Sequence, residues 1–306
     1  MRHAVMVVFV LLATGCASVD SADLRPVELT PEFRYTMERL GAGQGAAVID
    51  GLLYIYGDAD TGVIREYEPP EAGRPPRFTG REIRLTRGGV DVASHPTGLA
   101  HHPEHGTFLG DTVRRKGRIL HIDWRRALAD GTLDNAILNE TEDDAAVQGA
   151  RPEFVRYAGR WWVATSDYGG SDNQVRLMDP ARLKSAARTS EPGVVVHRWK
   201  CGPWVQTLHW LDSRETLVLV QNQVEGLRWR LTFAGLTPNA DLRRFRPVDL
   251  DEPTDELEGF VVLPGERFAV FITSGRRDNV WVGPIRLGHD AAGPTGAAAL
   301  PSPIVP

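Results

Sequence analysis

Five times along the chain one order of residues recurs: a small polar start, an alternating apolar run, a turn, a second apolar run and a polar stop. The starts are Gln44, Thr97, Glu153, Gln206 and Glu258, and the stops are Asp58, Asp111, Asp167, Asn222 and Ser274. Successive stops lie 53, 56, 55 and 52 residues apart. Each unit continues into a third strand, at 62–68, 117–124, 173–179, 226–231 and 279–287. A more polar fourth strand follows in four units, at 81–85, 135–139, 194–199 and 243–248. Four short strands per repeat of this length, joined by tight turns, make one blade of a radial array. The expected fold is therefore all-β, a five-bladed β-propeller. A β-sandwich would leave five units of identical internal order without a reason.

The fifth unit stops after Leu287, because residues 288–306 are rich in Ala, Gly and Pro and read as a disordered tail. Residues 25–35 alternate like a strand and belong to no unit of their own. They are predicted to supply the missing outer strand of the last blade, which joins the two ends of the chain and removes an open sheet edge. The propeller is thus expected over 25–287. Short helical turns are expected at 125–130 and 180–187, between third and fourth strands.

The N-terminus carries an address. Arg2 precedes an unbroken apolar run from Ala4 to Ala13, too short to span a bilayer. The sequence Ala13-Thr14-Gly15-Cys16 follows and resembles the bacterial lipobox, whose cysteine becomes the lipidated first residue of the mature protein. Ordinary signal cleavage nearby is the other reading. On the first, residues 1–15 are a signal peptide, Cys16 bears the lipid and 16–24 is a linker. The protein is then extracytoplasmic, held to a bacterial membrane on its periplasmic or outer side. The one other cysteine, Cys201, has no intramolecular partner, so the fold must stand on its core. The net charge is −5 and the 35 basic residues are scattered, which argues against a nucleic-acid surface.

In a propeller the first strand of each blade lines the axial channel, and the end of the second strand lies beside the start of the first. The repeat is therefore a map of one channel mouth. Its ten positions are Gln44/Asp58, Thr97/Asp111, Glu153/Asp167, Gln206/Asn222 and Glu258/Ser274, all polar, five of them carboxylates and none basic. Converging carboxylate and amide oxygens suit Ca²⁺ or another divalent cation, and carboxylates at several separations suit acid–base hydrolysis. Asp58, Asp111 and Asp167 also fit plain turn-capping, whereas Glu153 and Glu258 at strand starts have no regular capping role and are the candidate catalytic groups. Gln44, Asp58, Thr97, Asp111, Asp167, Gln206 and Asn222 are the candidate ligand-binding residues. His101 and His209 lie deeper along their strands, where a histidine satisfied within the core is the ordinary case. Trp204 could offer a sugar a stacking platform.

The segment His95-Pro96-Thr97-Gly98-Leu99-Ala100-His101-His102-Pro103, with Gly117-Arg118-Ile119-Leu120-His121-Ile122-Asp123 after it, resembles a phrase of gluconolactonase-like and NHL-type propellers. Gluconolactonase-like enzymes have six blades and hold an axial divalent cation through Glu, Asn and Asp. The resemblance implies Glu153, Asn222 and Glu258 as the matching ligands here. Arabinanase-like glycosidases are five-bladed and use three axial carboxylates. The expected function is the binding of a small or carbohydrate-like ligand at the acidic mouth, with or without a cation. The alternatives are a cation-dependent hydrolase, lactonase, esterase or glycosidase, using the same carboxylates, and a cell-envelope scaffold.

Overall fold

A computed structural model describes residues 26–71, 73–224, 228–244, 247–250 and 255–287. The expected signal segment, Cys16 and residues 288–306 lie outside these residues. The chain forms five antiparallel sheets, the blades, each ordered outward from the axis as strands one to four. Blade 1 comprises Gly43–Ile49, Leu52–Gly57, Val63–Glu68 and Arg77–Arg84, and blade 2 comprises Pro96–His102, Gly106–Val113, Lys116–Ile122 and Ile137–Asp143. Blade 3 comprises Glu153–Tyr157, Arg160–Thr165, Gln174–Met178 and Val195–Lys200. Blade 4 has Val205–Leu211, Thr216–Val224 and Arg228–Gly235, with its outer strand split into Arg243–Arg244 and Val248–Leu250. The start expected for the third strand of this blade, at 226, lies outside the described residues.

Blade 5 contributes only Leu257–Val262, Phe268–Thr273 and Val280–Leu287 from its own repeat. Its outer strand is Pro26–Leu29 followed by Phe33–Tyr35, both antiparallel to Val280–Leu287, as the unassigned N-terminal alternation predicted. Arg34 lays its guanidinium 3.9 Å from the ring centre of its cross-strand neighbour Trp281. The buried Asn279 amide accepts from Met37 N at 2.7 Å and donates to Met37 O at 3.0 Å, tying the incoming chain to the last blade. The five first strands contact one another in a closed ring, blade 5 meeting blade 1.

Apolar alternation places the core between blades. Val155, Trp162, Trp199, Leu208 and Trp210 pack between blades 3 and 4, and Trp229, Phe260, Phe271 and Trp281 between blades 4 and 5. Two helices interrupt the run from third to fourth strand, as expected. Trp124–Asp130 is capped by the Asp123 side chain and ended by left-handed Gly131. The second, Pro180–Leu183, is shorter than predicted; Asp179 caps it and Pro180 opens it.

Near the axis the strands crowd. A Cβ added at Gly259 would stand 2.6 Å from Gly45 Cα in the adjoining blade. Gly259→Ala should therefore cost about 1–3 kcal/mol of stability, as overpacking does, read from the midpoint of denaturant unfolding. Asn279→Ala strips the half-buried Met37 N–H and C=O of their partner. It should cost about 1–3 kcal/mol and expose residues 26–35 to limited proteolysis before the rest of the chain.

Candidate functional site

Strand pairing shows which residues are truly equivalent around the axis. In blade 1, Gly43 opposes Gly57 and Gly45 opposes Tyr56, so Gln44 sits in a one-residue bulge. The same bulge holds Thr97 between Pro96 and Gly98, Gln206 between Val205 and Thr207, and Glu258 between Leu257 and Gly259. Four of the five expected strand starts are thus equivalent. Glu153 is not, because it opposes Ala164 while Arg151 N donates to Thr165 Oγ1, leaving Pro152 at the bulge position. Glu153 corresponds to Gly45, Gly98, Thr207 and Gly259. Asp111 opposes Pro96 as Gly57 opposes Gly43, so the counterpart of Asp58 in blade 2 is Thr112. By the same register it is Ser166 in blade 3, one residue before Asp167. In blade 2 the repeat read from sequence slipped because the first hairpin, closed by His102 and Gly106, holds one residue more than that of blade 1, closed by Ile49 and Leu52. In blade 3, where Tyr157 and Arg160 close a hairpin as short as that of blade 1, both expected positions lie one residue late.

These offsets distribute the predicted residues over two ends of the channel. At the strand-start end, Asp58 Oδ1 accepts from Ala42 N at 2.7 Å, and Asp167 accepts from Val147 N at 3.0 Å and Gln148 N at 2.8 Å. Both are turn caps. Asp58 also stands 3.8 Å from His95 Nδ1. Thr97 Oγ1 donates to Ala150 O at 2.5 Å, and Gln44 is buried. Asp111 lies apart, buried within blade 2 and paired with Arg118 at 2.7 Å. Burial raises its pKa and the guanidinium opposes that.

Glu258 and Gln206 remain at this end, joined by a 3.2 Å hydrogen bond from Gln206 Nε2 to Glu258 Oε1. Burial holds the Glu258 carboxyl well above the usual range, helped by the hydrogen-bonded carboxyl of Glu256. Sequence reasoning missed the central group here, Arg151, two residues before the expected start of its blade. Its buried guanidinium donates to Gln206 O at 2.8 Å, Gly149 O at 2.6 Å and Gln148 O at 3.2 Å, and stands 3.8 Å from Asp167. It lies close enough to Glu258 to pull that carboxyl's pKa down. Burial lowers its own pKa to about 10.

This arrangement fits a divalent cation poorly. Asn222 Oδ1 is committed to Leu257 N at 2.7 Å, and a guanidinium already serves as the cation beside Glu258. Among the described residues no group of three or more His, Cys, Asp or Glu side chains could hold a metal ion.

Glu153 faces the other way. It lines a cavity of about 310 Å³ at the hairpin end of the channel, with Leu99, His101, His209, Asp212, Ser213 and Glu266. Burial pushes its carboxyl well above the ordinary range, opposed in part by a hydrogen bond from the Phe154 backbone N–H. His209 Nε2 accepts from Val262 N at 3.1 Å, so the ring proton is assigned to Nδ1, and burial lowers the imidazole to about 4. His101 Nδ1 is 2.8 Å from Thr107 Oγ1, and burial lowers its pKa also. Burial thus favours the neutral form of all three groups on the cavity wall, the Glu153 carboxyl and the His101 and His209 imidazoles. Tyr56, its ring laid over Gly45, is within electrostatic reach of Glu153 on the one side and of Arg151 and Glu258 on the other.

No protein-family model matches this chain, and no curated protein is significantly similar to it in sequence. Among solved structures it is similar to the PQQ-bound aldose sugar dehydrogenase of Streptomyces coelicolor, at 16% identity over 84% of this chain and 97% of that one, with a TM-score of 0.49. It is also similar to the periplasmic gluconolactonase PpgL of Pseudomonas aeruginosa, at 15% identity over 80% of this chain and 70% of that one, with a TM-score of 0.44. A chain of a mitotic checkpoint complex matches at 13% identity over 80% of this chain and 61% of its own, TM-score 0.45. The chain spans about three fifths of the length of that chain and of a Kuenenia stuttgartiensis hydrazine synthase chain. Overlap at this level says nothing of activity, and the blade count rests on strand pairing alone.

The raised Glu153 carboxyl has a measurable consequence. The unfolded chain releases this proton near pH 4.3, the folded chain only at higher pH, so between the two values stability falls as pH rises. Glu153→Gln removes that loss. Its melting temperature should match the unaltered protein near pH 4 and rise progressively above it towards pH 8; curves that stay parallel would contradict the assignment. Comparing the two proteins at each pH cancels the opposite contribution of His209, which destabilises as pH falls below the ordinary histidine value.

Proposed function

We propose that this protein is a lipid-anchored, extracytoplasmic five-bladed propeller that binds a small, neutral, polyhydroxylated ligand of sugar or sugar-lactone type in the hairpin-end cavity. The carrying observation is an inner wall formed by Glu153, His101 and His209, where burial disfavours the charged form of each, in a cavity lined by no lysine or arginine among the described residues. Such groups donate and accept hydrogen bonds to hydroxyls at no electrostatic cost to a neutral ligand. Asp212 and Glu266 on the same lining disfavour an anion. A volume of about 310 Å³ lies at the small end of the range for ligand pockets. The anchor follows from the lipobox-like Ala13-Thr14-Gly15-Cys16.

A hydrolytic reading of the same cavity has one observation in its favour. A carboxyl that keeps its proton to higher pH than usual suits a general acid, and burial shifts Glu153 in that direction. On this reading Glu153 would protonate a leaving oxygen or a lactone carbonyl.

Calorimetry with D-glucose, D-xylose and glucono-δ-lactone, with gluconate as the anionic control, tests the proposal. The neutral compounds should bind, gluconate should not, and Glu153→Gln should weaken binding at least tenfold. Added EDTA should change nothing. Preference for gluconate, indifference to Glu153→Gln, or loss of binding with EDTA would each overturn the reading. Consumption of the lactone that Glu153→Gln abolishes would select hydrolysis over binding alone.

A further inference from the structure

The outer strand of blade 5 decides which end of the channel the anchor holds. Each first strand runs from the strand-start end to the hairpin end, the second returns, and the third descends again. In blade 5 the pairing of Phe268 with Pro284 and of Ile272 with Val280 brings the third strand to the hairpin end as it approaches Leu287. Arg267, in the hairpin itself, accepts a hydrogen bond from Ile285 N at 3.1 Å. The N-terminal strand is antiparallel to this one, with Pro26 opposite Leu287 and Tyr35 opposite Val280. The chain therefore enters the propeller at the hairpin end, on the face where the Glu153 cavity opens.

Only ten residue steps separate Pro26 from Cys16. Fully extended they reach about 35 Å, and as a flexible coil their typical span is on the order of 20 Å. The first strand Gly43–Ile49, seven residues long, is itself about 23 Å tall, and the loops at both ends add to that. A tether of this length attached at the hairpin edge reaches a bilayer on that side directly, whereas reaching one on the opposite side uses most of its full extension in passing the body.

We propose that the hairpin face is the membrane-facing surface of this propeller, docked on the bilayer that holds its lipid anchor, so that the axial cavity takes its ligand from the membrane side. This rests on the anchoring part of the proposed function but not on ligand identity. The first hairpins of blades 4 and 5 carry Asp212 and Glu266 beside Arg214 and Arg267, a mixed charge that fits a bilayer of low surface charge. Docking here restricts the ligand to what is presented or released within the narrow gap between face and bilayer, while the strand-start end looks outward.

The test uses the full-length lipidated protein in phosphatidylcholine vesicles containing a rhodamine-labelled lipid as energy acceptor. Two labelled variants are compared, Arg267→Cys at the hairpin end and Arg277→Cys at the other end of the same blade. Both positions are exposed, and Cys201 is buried. Melting temperatures confirm that both variants fold. The donor at position 267 should be quenched at least twofold more than the donor at 277, and equal or reversed quenching overturns the orientation. Mass spectrometry of Cys16, with Cys16→Ser as control, separates the two readings. An unacylated Cys16 overturns the anchoring and with it this inference, whereas an acylated Cys16 with reversed quenching overturns the inference alone.

Discussion

Every blade of this protein depends on a pairing between the two ends of the chain. Five repeats supply nineteen of the strand positions a closed ring of four-stranded blades needs, and Pro26–Leu29 with Phe33–Tyr35 fills the last one. Without it Val280–Leu287 would be an open edge carrying unpaired N–H and C=O groups, and Trp281 would lose the Arg34 guanidinium stacked on it. The ring transmits this dependence. Each interblade core is shared between two sheets, so a blade that loosens exposes apolar surface on both of its neighbours. The Asn279 amide, holding both backbone groups of Met37, is the polar part of the same closure.

Closing five sheets around one axis also dictates what the channel can hold. Five first strands leave little room at their narrowest level, and three of the five residues there are glycine: Gly45, Gly98 and Gly259. Tyr56 folds its ring over Gly45, and Glu153 occupies the matching place in blade 3 with a long acidic side chain. The result is a partition. On the strand-start side a buried arginine, spent largely on backbone carbonyls, keeps company with Asp167, Glu258 and Gln206. On the hairpin side Glu153 lines a small cavity beside His101 and His209, and burial favours the neutral form of all three. A buried charge needs a partner and a buried neutral acid does not, which is why one end reads as structural and the other as a place for a ligand.

The blade count, the strand order and the role of the N-terminal segment were all legible in the sequence. So was the capping role of Asp58 and Asp167, weighed beside the functional one because aspartates at strand ends commonly bind backbone amides. The expectation of one acidic mouth did not survive. Asp111 belongs to an ion pair with Arg118 inside its blade, and Glu153 points to the far end of the channel. Arg151 was invisible as a site residue because it stands before the repeat begins. A polar residue followed by proline, where the other blades carry a bulge, was the one available sign that blade 3 enters the axis differently.

The sequence by itself determined the periodic features. A period near 54 residues with alternating apolar positions specifies four-stranded blades, and five such units with an unpaired strand at the start specify a ring closed by its own terminus. These follow from spacing, because side-chain direction in a strand repeats every second residue whatever its surroundings. Only the tertiary structure decided which carboxyls share a space, which hold their proton more tightly than usual and at which end the chain enters. One bulge or one extra hairpin residue moves a side chain to another face without changing the pattern of residues, and the protonation of an acid is set by neighbours distant in sequence.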